Sequence, residues 1–205
     1  MIEPFKNPNL HAPTPIRVLA DGTVFGHACD WNRVHTALPG VRAPRECNPD
    51  YPYFHLGGYE WKGQEIDVGK ITFHALHADV RLPADEARAH YENTASVAAY
   101  VKAGNDAHGV WFCGRVAKGL SDEDVEALRG ASVSGDWRAY QGRRELIGML
   151  ACNVPGFPIE RERVMVAGAS LALVASGVIP NDYVSTARLR LRHRVARARL
   201  RARIV

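Results

Sequence analysis

The sequence predicts a mixed α+β domain that is mostly β, either a barrel or a strongly bent sheet. Short segments rich in β-branched and aromatic residues recur along the first 160 residues, separated by turn residues. Only two segments carry the start signals of a helix. The chain has neither a P-loop nor a strand-linked G-x-G-x-x-G motif, which argues against a doubly wound nucleotide-binding sheet.

The N-terminal half is predicted to contain three strands and one helix. Residues 13–31, PTPIRVLADGTVFGHACDW, have the pattern of two short strands joined by the turn ADG. Residues 39–58 are rich in proline and are expected to form a long surface loop. Residues 66–76, IDVGKITFHAL, predict a strand. Residues 83–104 begin with a helix start signal, so we expect a helix that extends at least through His90.

The second half is predicted to contain three more strands and a short helix. Residues 107–117, AHGVWFCGRVA, predict a buried strand. Residues 121–131 predict a helix, because a serine can cap its N-terminus and acidic residues fill its first turn. Residues 133–140 and 144–155 predict two strands joined by a turn and ended by PGFP. The apolar residues 164–179 are compatible with a helix or a strand.

Charge divides the chain into a body, residues 1–181, and a basic tail, residues 182–205. The tail holds eight arginines and one aspartate, a net charge of +7, which leaves −3 on the body of a chain whose net charge is +4. Apolar residues recur in the tail at alternating steps of four and three, as on one face of a helix. They are Leu191, Val195, Ala198, Ala202 and Val205. We expect an arginine-rich helix that binds an acidic partner or remains a solvated terminal helix.

The composition predicts a cytosolic protein without a membrane span or disulfides. Its hydrophobic content of 46% is sufficient for a core, yet no apolar run approaches the roughly 18 residues of a membrane span. The four cysteines are widely spaced and form no C-x-x-C pair, so reduced thiols are expected.

The nine histidines direct attention to metal binding and to proton transfer. His74 and His77 are three residues apart on a predicted strand, and this spacing sends them to opposite faces. His27 and Cys29 form a single pair without a second one. We therefore predict no metal and no cofactor.

The segment ASVSGDWR, residues 131–138, contains two candidate nucleophiles. A serine becomes nucleophilic when a histidine accepts its proton, and the two residues need to meet only in space. Ser134 is followed by Gly135, which lets the backbone approach a substrate carbonyl and offers an N–H to an oxyanion. Ser132 would point to the same face of a strand and is the competing candidate.

Seven segments occur in an order that resembles the capsid maturation (prohead) proteases of tailed phages that infect actinobacteria. They are DGTVFGHACDW, PYFHLGG, VGKITFHALHA, AHYENTASVAAYV, NDAHGVWFCG, LRGASVSGDWR and NVPGFP. The similarity covers nearly all of residues 4–160. These proteases in turn resemble the herpesvirus assemblins, which are serine proteases built on a β-barrel wrapped by helices. The resemblance thus implies a serine endopeptidase with a herpesvirus-protease-like fold.

The resemblance also implies catalytic residues. Ser134 matches the family serine because an aromatic residue, Trp137, follows three positions later. The family histidine precedes a strand with the pattern acid-x-x-Gly-aliphatic. His90 stands in this relation to DAHGV, residues 106–110, and is therefore the expected base. The third member is Glu145, which lies before an apolar strand, or a second histidine as in assemblins, here His77.

Other polar residues near these positions receive simpler interpretations. Asp106 and Asp136 are expected at a strand end and in a turn, and Arg138 and Arg143 at the solvated surface, although either arginine could support an oxyanion. Trp137 is expected to pack the nucleophile in place and to exclude water from the scissile bond.

The resemblance implies that the substrates are the major capsid protein and the scaffold, cleaved in the host cytoplasm inside the assembling procapsid by a homo-oligomer. Two alternatives stay open. The first is a structural capsid or connector protein that keeps the protease fold without activity. The second is a nucleic-acid-binding module, which would depend on the basic tail alone.

Overall fold

The computed structural model describes residues 2–45, 47–73 and 76–161. This part of the chain is mostly β, with one curled half-barrel sheet and two helices, which confirms the predicted mostly-β class. The strands are β1 (Arg17–Val18), β2 (Thr23–Asp30), β3 (Gly57–Trp61), β4 (Gln64–Phe73), β5 (Ser96–Asn105), β6 (Gly109–Val116), β7 (Ser132–Tyr140) and β8 (Arg143–Cys152), and the helices are α1 (Ala84–Thr94) and α2 (Asp122–Gly130). The apolar residues 164–179 and the predicted tail helix lie outside the described residues.

The sheet has the strand order β1-β2-β6-β5-β4-β8-β7, and β3 pairs with β4 beside this path. The neighbouring strands are antiparallel except β4 and β8, which run parallel through the pairs Ile71–Met149 and Thr72–Leu150. The curl brings β7 close to β2. As a result, the loops after β2, β4 and β8 can meet beside β7.

Two apolar clusters hold the fold together. The larger one consists of buried side chains from strands and loops, among them Tyr51, Ile71, Phe112, Leu146 and Met149. The smaller one lies under α1, where Ala84, Ala87 and Tyr91 form a helical stripe against Ile147 and Leu150 of β8. Helix α1 is therefore fixed against the strand that pairs with β7.

Local sequence signals account for several element boundaries. The Ser121 hydroxyl accepts the Asp124 N–H at the start of α2 (3.0 Å), as the predicted cap requires. The turn between β7 and β8 places Gln141 and Gly142 at φ of 47° and 79°, values that suit a two-residue hairpin turn. Helix α1 passes His90, as predicted, and ends at Thr94. The residues that follow form β5, a strand that the sequence analysis did not identify.

The four cysteines all lie in the described part of the chain and form no disulfide. None of the helices described is both long enough and apolar enough to cross a membrane.

Candidate active site

A serine and a histidine from distant parts of the chain meet beside β7. Ser134 lies in β7, and His77 lies in the loop of residues 76–83 that leads into α1. His77 Nε2 is 3.1 Å from Ser134 Oγ, and the Gly156 N–H donates a second hydrogen bond to the same oxygen (3.1 Å). The Ser134 proton is available to Nε2 when the imidazole carries its own proton on Nδ1. A serine hydroxyl beside an unprotonated imidazole nitrogen is the arrangement that activates a nucleophile.

The two partners differ in exposure and surroundings. Ser134 is 2% exposed, whereas His77 lies in an exposed loop beside Leu76. Partial burial of the imidazole lowers the pKa of His77, the Asp136 carboxylate opposes this shift, and the Arg138 guanidinium adds to it. The ring is therefore neutral at neutral pH, which is the form that can accept a proton.

His90, the base expected from the resemblance, is not brought to Ser134. It lies half-buried on α1, where its Nε2 donates to the Leu76 carbonyl oxygen (2.9 Å). The histidine that lies within hydrogen-bonding distance of Ser134 is His77. The geometry thus favours His77, which the sequence analysis had considered only as a third member.

Glu145, the other candidate for the third position, lies across the β7–β8 ladder from Arg138. It is 6% exposed, and its Oε2 has no hydrogen-bond partner among the described residues. Burial raises the pKa of the Glu145 carboxyl, with the Arg143 charge acting in the opposite direction. No hydrogen bond joins this carboxylate to His77 in the described part of the chain, so the structure gives Glu145 no role in orienting the base.

Replacing Glu145 with glutamine should raise the free energy of unfolding at pH 7. The folded-state pKa is raised above the unfolded one, so stability falls as pH rises through the unfolded value towards the folded value. The amide cannot ionise and therefore avoids this loss of stability at pH 7. Urea denaturation of both proteins at pH 7 and in mild acid measures the difference. A less stable variant at pH 7 would show that the carboxylate has a favourable ionic partner.

Asp136 and Arg138 form a buried ion pair in the middle of β7. They are 7% and 9% exposed, and Arg138 Nε donates to Asp136 Oδ1 at 2.7 Å. The expectations of a turn for Asp136 and of surface solvation for Arg138 are therefore wrong. Side chains alternate along a strand, so this pair and Ser134 point to the same face of β7.

Gly135 and Trp137 lie on the opposite face of β7 from Ser134. A Cβ on Gly135 would come within 2.4 Å of the Trp137 ring, so glycine is needed for the indole to pack against the strand. The indole also contacts the Phe157 ring edge to face, with the ring centroids 5.9 Å apart. Trp137 packs behind the strand of Ser134 against Gly135 and Phe157, and it lies on the wrong face to shield a scissile bond at Ser134.

His35 is a residue that the sequence analysis did not identify. Its Nδ1 accepts the backbone N–H groups of residues 37 and 38 (3.1 and 3.2 Å), so the neutral ring carries its proton on Nε2. Burial, together with the nearby His77, lowers the pKa of His35. A Cβ on Gly156 would come within 2.6 Å of His35 Nε2. His35 thus presents an N–H donor beside the residue whose own N–H contacts Ser134.

The segment of residues 155–157 is fixed against the His35 loop. The Thr36 N–H donates to the Gly156 carbonyl (2.8 Å), and the Thr36 hydroxyl donates to the Pro155 carbonyl (3.1 Å). The Phe157 ring meets the His35 ring edge to face, with centroids 5.1 Å apart. No sequence signal marks this contact, because the His35 loop and PGFP are far apart along the chain.

The histidine–carboxylate pair of His27 and Asp106 has a structural role. His27 is 1% exposed, its Nε2 donates to Asp106 Oδ2 (2.9 Å), and its Nδ1 accepts the Thr14 N–H (3.0 Å). The other Asp106 oxygen accepts the N–H groups of His108 and Gly109, so Asp106 caps the turn before β6, as expected of a strand-end residue. Over residues 2–45, 47–73 and 76–161 no three His, Cys, Asp or Glu side chains are grouped to hold a metal, and His74 lies outside these ranges.

Comparisons with protein-family models, with curated proteins and with solved structures found no match.

Proposed function

We propose that the protein is a serine endopeptidase of the capsid maturation type, with Ser134 as nucleophile and His77 as general base. The observation that carries the proposal is the 3.1 Å distance between Ser134 Oγ and His77 Nε2. The curled, mostly-β sheet supports it, as do the seven sequence segments that occur in the same order as in prohead proteases. The herpesvirus-protease-like barrel wrapped by helices is part of the proposal, and His77 takes the place first given to His90.

The reaction begins when Ser134 Oγ attacks the carbonyl carbon of the scissile peptide and its proton moves to His77 Nε2. The carbonyl π electrons move to oxygen and form a tetrahedral oxyanion. When that intermediate collapses, the C–N bond breaks and His77 returns the proton to the leaving amine. Water then hydrolyses the acyl-enzyme by the same two proton transfers, which restores the serine.

The proposal assigns two N–H donors to the oxyanion, namely the Gly156 backbone amide, which contacts Ser134 Oγ, and His35 Nε2, which lies beside Gly156. Ser134 is 2% exposed and its oxygen already accepts the Gly156 N–H. A substrate carbonyl can therefore reach Oγ only when residues 155–157 shift and the amide turns from the serine to the substrate oxygen. The free chain is expected to react slowly for this reason.

Exposed apolar side chains lie on both loops that carry the candidate histidines. Leu76 and Val80 are 84% and 88% exposed near His77, and Leu38 is 50% exposed near His35. The proposal assigns these side chains to contacts with the apolar side chains of an unfolded polypeptide segment. The proposed substrates are the major capsid protein and the scaffold, cleaved by a homo-oligomer inside the procapsid, with an acidic partner for the basic tail.

The test is to co-express the chain with the capsid subunit and to determine the intact mass of that subunit. The proposal expects a shortened subunit whose new terminus is generated only when both chains are present. An unchanged subunit and an unchanged scaffold, both recovered with a soluble and folded chain, would contradict it.

The rate at which Ser134 reacts should depend on the protonation of His77. The imidazole accepts a proton only when neutral, so the rate is lost as pH falls through the pKa of His77. Since this pKa is lowered, the midpoint should lie below the ordinary imidazole value of about 6.5. The second-order rate of fluorophosphonate labelling, measured from about pH 4 to pH 8, gives the midpoint. A rate that does not change with pH would exclude a histidine base.

Replacing Gly156 with alanine should weaken the oxyanion site. The new methyl group would lie 2.6 Å from His35 Nε2, so the ring or the amide must move. We expect a loss of about 1–3 kcal/mol of stability from overpacking and a fall of roughly tenfold or more in the labelling rate. Gly130→Ala is the control, because nothing lies within 4 Å of its added methyl group. Equal labelling rates in the two variants would contradict this role of Gly156.

The second candidate function is a structural capsid or connector protein that uses the fold without chemistry. The near-complete burial of Ser134 favours it, because a buried serine can serve as a hydrogen-bonding residue only. Copy number separates the two functions. A structural component persists in mature particles in fixed stoichiometry, whereas a maturation protease is scarce or absent there.

A further inference from the structure

The position of His77 depends on a loop that belongs to no strand or helix. Residues 76–82 are irregular, and Leu76 and Val80 project into solvent at 84% and 88% exposure. Side-chain packing therefore does little to hold these parts of the loop. Ala78 and Leu82 pack against the smaller apolar cluster, and the hydrogen bonds of the loop backbone fix the polar groups between them.

One side chain binds three carbonyl groups of this loop. Arg138 Nη2 donates to the Ala78 carbonyl (2.8 Å), and Nη1 donates to the Asp79 and Leu82 carbonyls (2.7 and 3.0 Å). Its Nε and Nη2 also donate to the two Asp136 oxygens, both at 2.7 Å. A guanidinium has five N–H donors in a planar fork, and all five are used here. None is left for a substrate oxyanion.

Tyr91 of α1 completes the arrangement around Ala78, the residue that follows His77. The Tyr91 hydroxyl donates to Asp136 Oδ2 (2.5 Å) and accepts the Ala78 N–H (3.1 Å). The Ala78 carbonyl is held by Arg138. Both polar groups of this one residue are thus bound to a network that starts on β7.

The same strand carries the nucleophile and the anchor of the base. Ser134 and Arg138 are four residues apart on one face of β7, and the extra residue of the bulge, Ile147, lies in β8, so the alternation along β7 is intact. The strand sets the distance from Ser134 to Arg138, and the hydrogen bonds of Arg138 set the distance from there to the loop of His77.

We propose that Arg138, held by Asp136 and Tyr91, is the positioning residue that places His77 at hydrogen-bonding distance from Ser134. This inference rests on the proposed function for its catalytic meaning. Lysine cannot replace the arginine, because an ammonium group has three donors and lacks the planar fork, so at least two of the five acceptors lose their partner.

The test compares Arg138→Lys, Arg138→Met and Tyr91→Phe with the wild type, and with Arg144→Lys as a matched control. Arg144 is an exposed arginine of the neighbouring strand. The first readout is the pH profile of fluorophosphonate labelling at Ser134. The second is the NMR titration of the His77 ring, which reports its tautomer and pKa whether or not the protein reacts. Circular dichroism establishes that each variant is folded.

We expect Arg138→Lys to label roughly 10- to 100-fold more slowly, because a misplaced base loses proximity, with a pH midpoint close to that of the wild type. Arg138→Met also loses the cation that faces His77, which leaves Asp136 unopposed beside the ring, so its midpoint should move to higher pH. His35, the third titrating group near this ring, is unchanged in all variants. Tyr91→Phe should label several-fold more slowly, and Arg144→Lys at the wild-type rate.

The proposal is overturned if folded Arg138→Lys and Tyr91→Phe proteins label at the wild-type rate with a wild-type profile. If the Arg138 variants do not fold, Tyr91→Phe alone decides by the same criterion. A wild-type protein that does not label would refute the proposed function instead. In that case the His77 titration still decides the positioning role, which fails if Arg138→Met leaves the pKa and tautomer of His77 unchanged.

Discussion

Alanine at position 134 should abolish cleavage of the capsid subunit and leave the fold intact. In the proposed reaction the side chain of Ser134 supplies the attacking oxygen, and removal of a serine nucleophile costs about 10⁶-fold in a well-studied serine protease. Structurally the change removes one hydrogen bond to His77 and one to the Gly156 N–H. We expect a loss of stability of about 1 kcal/mol from these bonds. The measurements are the mass of the co-expressed subunit and a urea denaturation curve.

Ser132→Ala is the matched control for this experiment. Ser132 lies two residues earlier on the same face of β7, so each variant removes one serine hydroxyl from neighbouring positions of that face. Cleavage should persist in Ser132→Ala. Processing by the Ser134→Ala protein at the wild-type level would refute the assignment of the nucleophile, and loss only in Ser132→Ala would transfer the role to that serine.

Replacement of His77 should have the second-largest effect. His77→Ala removes the group that accepts the Ser134 proton in the proposed reaction, and we expect a loss of about 10⁴-fold or more in cleavage and labelling. The comparison variant is His90→Ala, which removes a hydrogen bond to the Leu76 carbonyl and an edge-to-face contact with the Tyr91 ring. That variant should retain activity within about tenfold, because it keeps both Ser134 and the His77 imidazole.

These two histidine variants distinguish the base expected from the sequence, His90, from the base that the geometry favours, His77. A large loss in His90→Ala together with an active His77→Ala protein would restore His90 as the base. Such a result would require a rearrangement of α1, because its Tyr91 is fixed between Ala78 and Asp136.

Much of the fold could be predicted because its signals are local. The Ser121 cap, the acidic first turn of α2 and the hairpin turn between β7 and β8 each depend on residues that are neighbours in sequence. Strand β5 was missed because its alanines follow a helix without a glycine or proline between them. Its assignment as a strand comes from pairing with β4 and β6 on both sides, which is tertiary information.

The candidate site could be predicted only in part. Ser134 is marked by Gly135 and Trp137 within one strand, although Gly135 serves the packing of the indole. The choice of His77 over His90 depends on how the loop before α1 folds back onto β7, and no spacing rule contains that contact. His35 and Gly156 approach each other only because the sheet curls and brings the loops after β2 and β8 together.

The most direct measurement is to label the wild-type protein with a fluorophosphonate, digest it and identify the modified residue by mass spectrometry. The account predicts one adduct on Ser134, lost in acid as His77 becomes protonated and absent from the His77→Ala protein. No adduct on a folded protein across the whole pH range, or an adduct that forms equally well without His77, would contradict it.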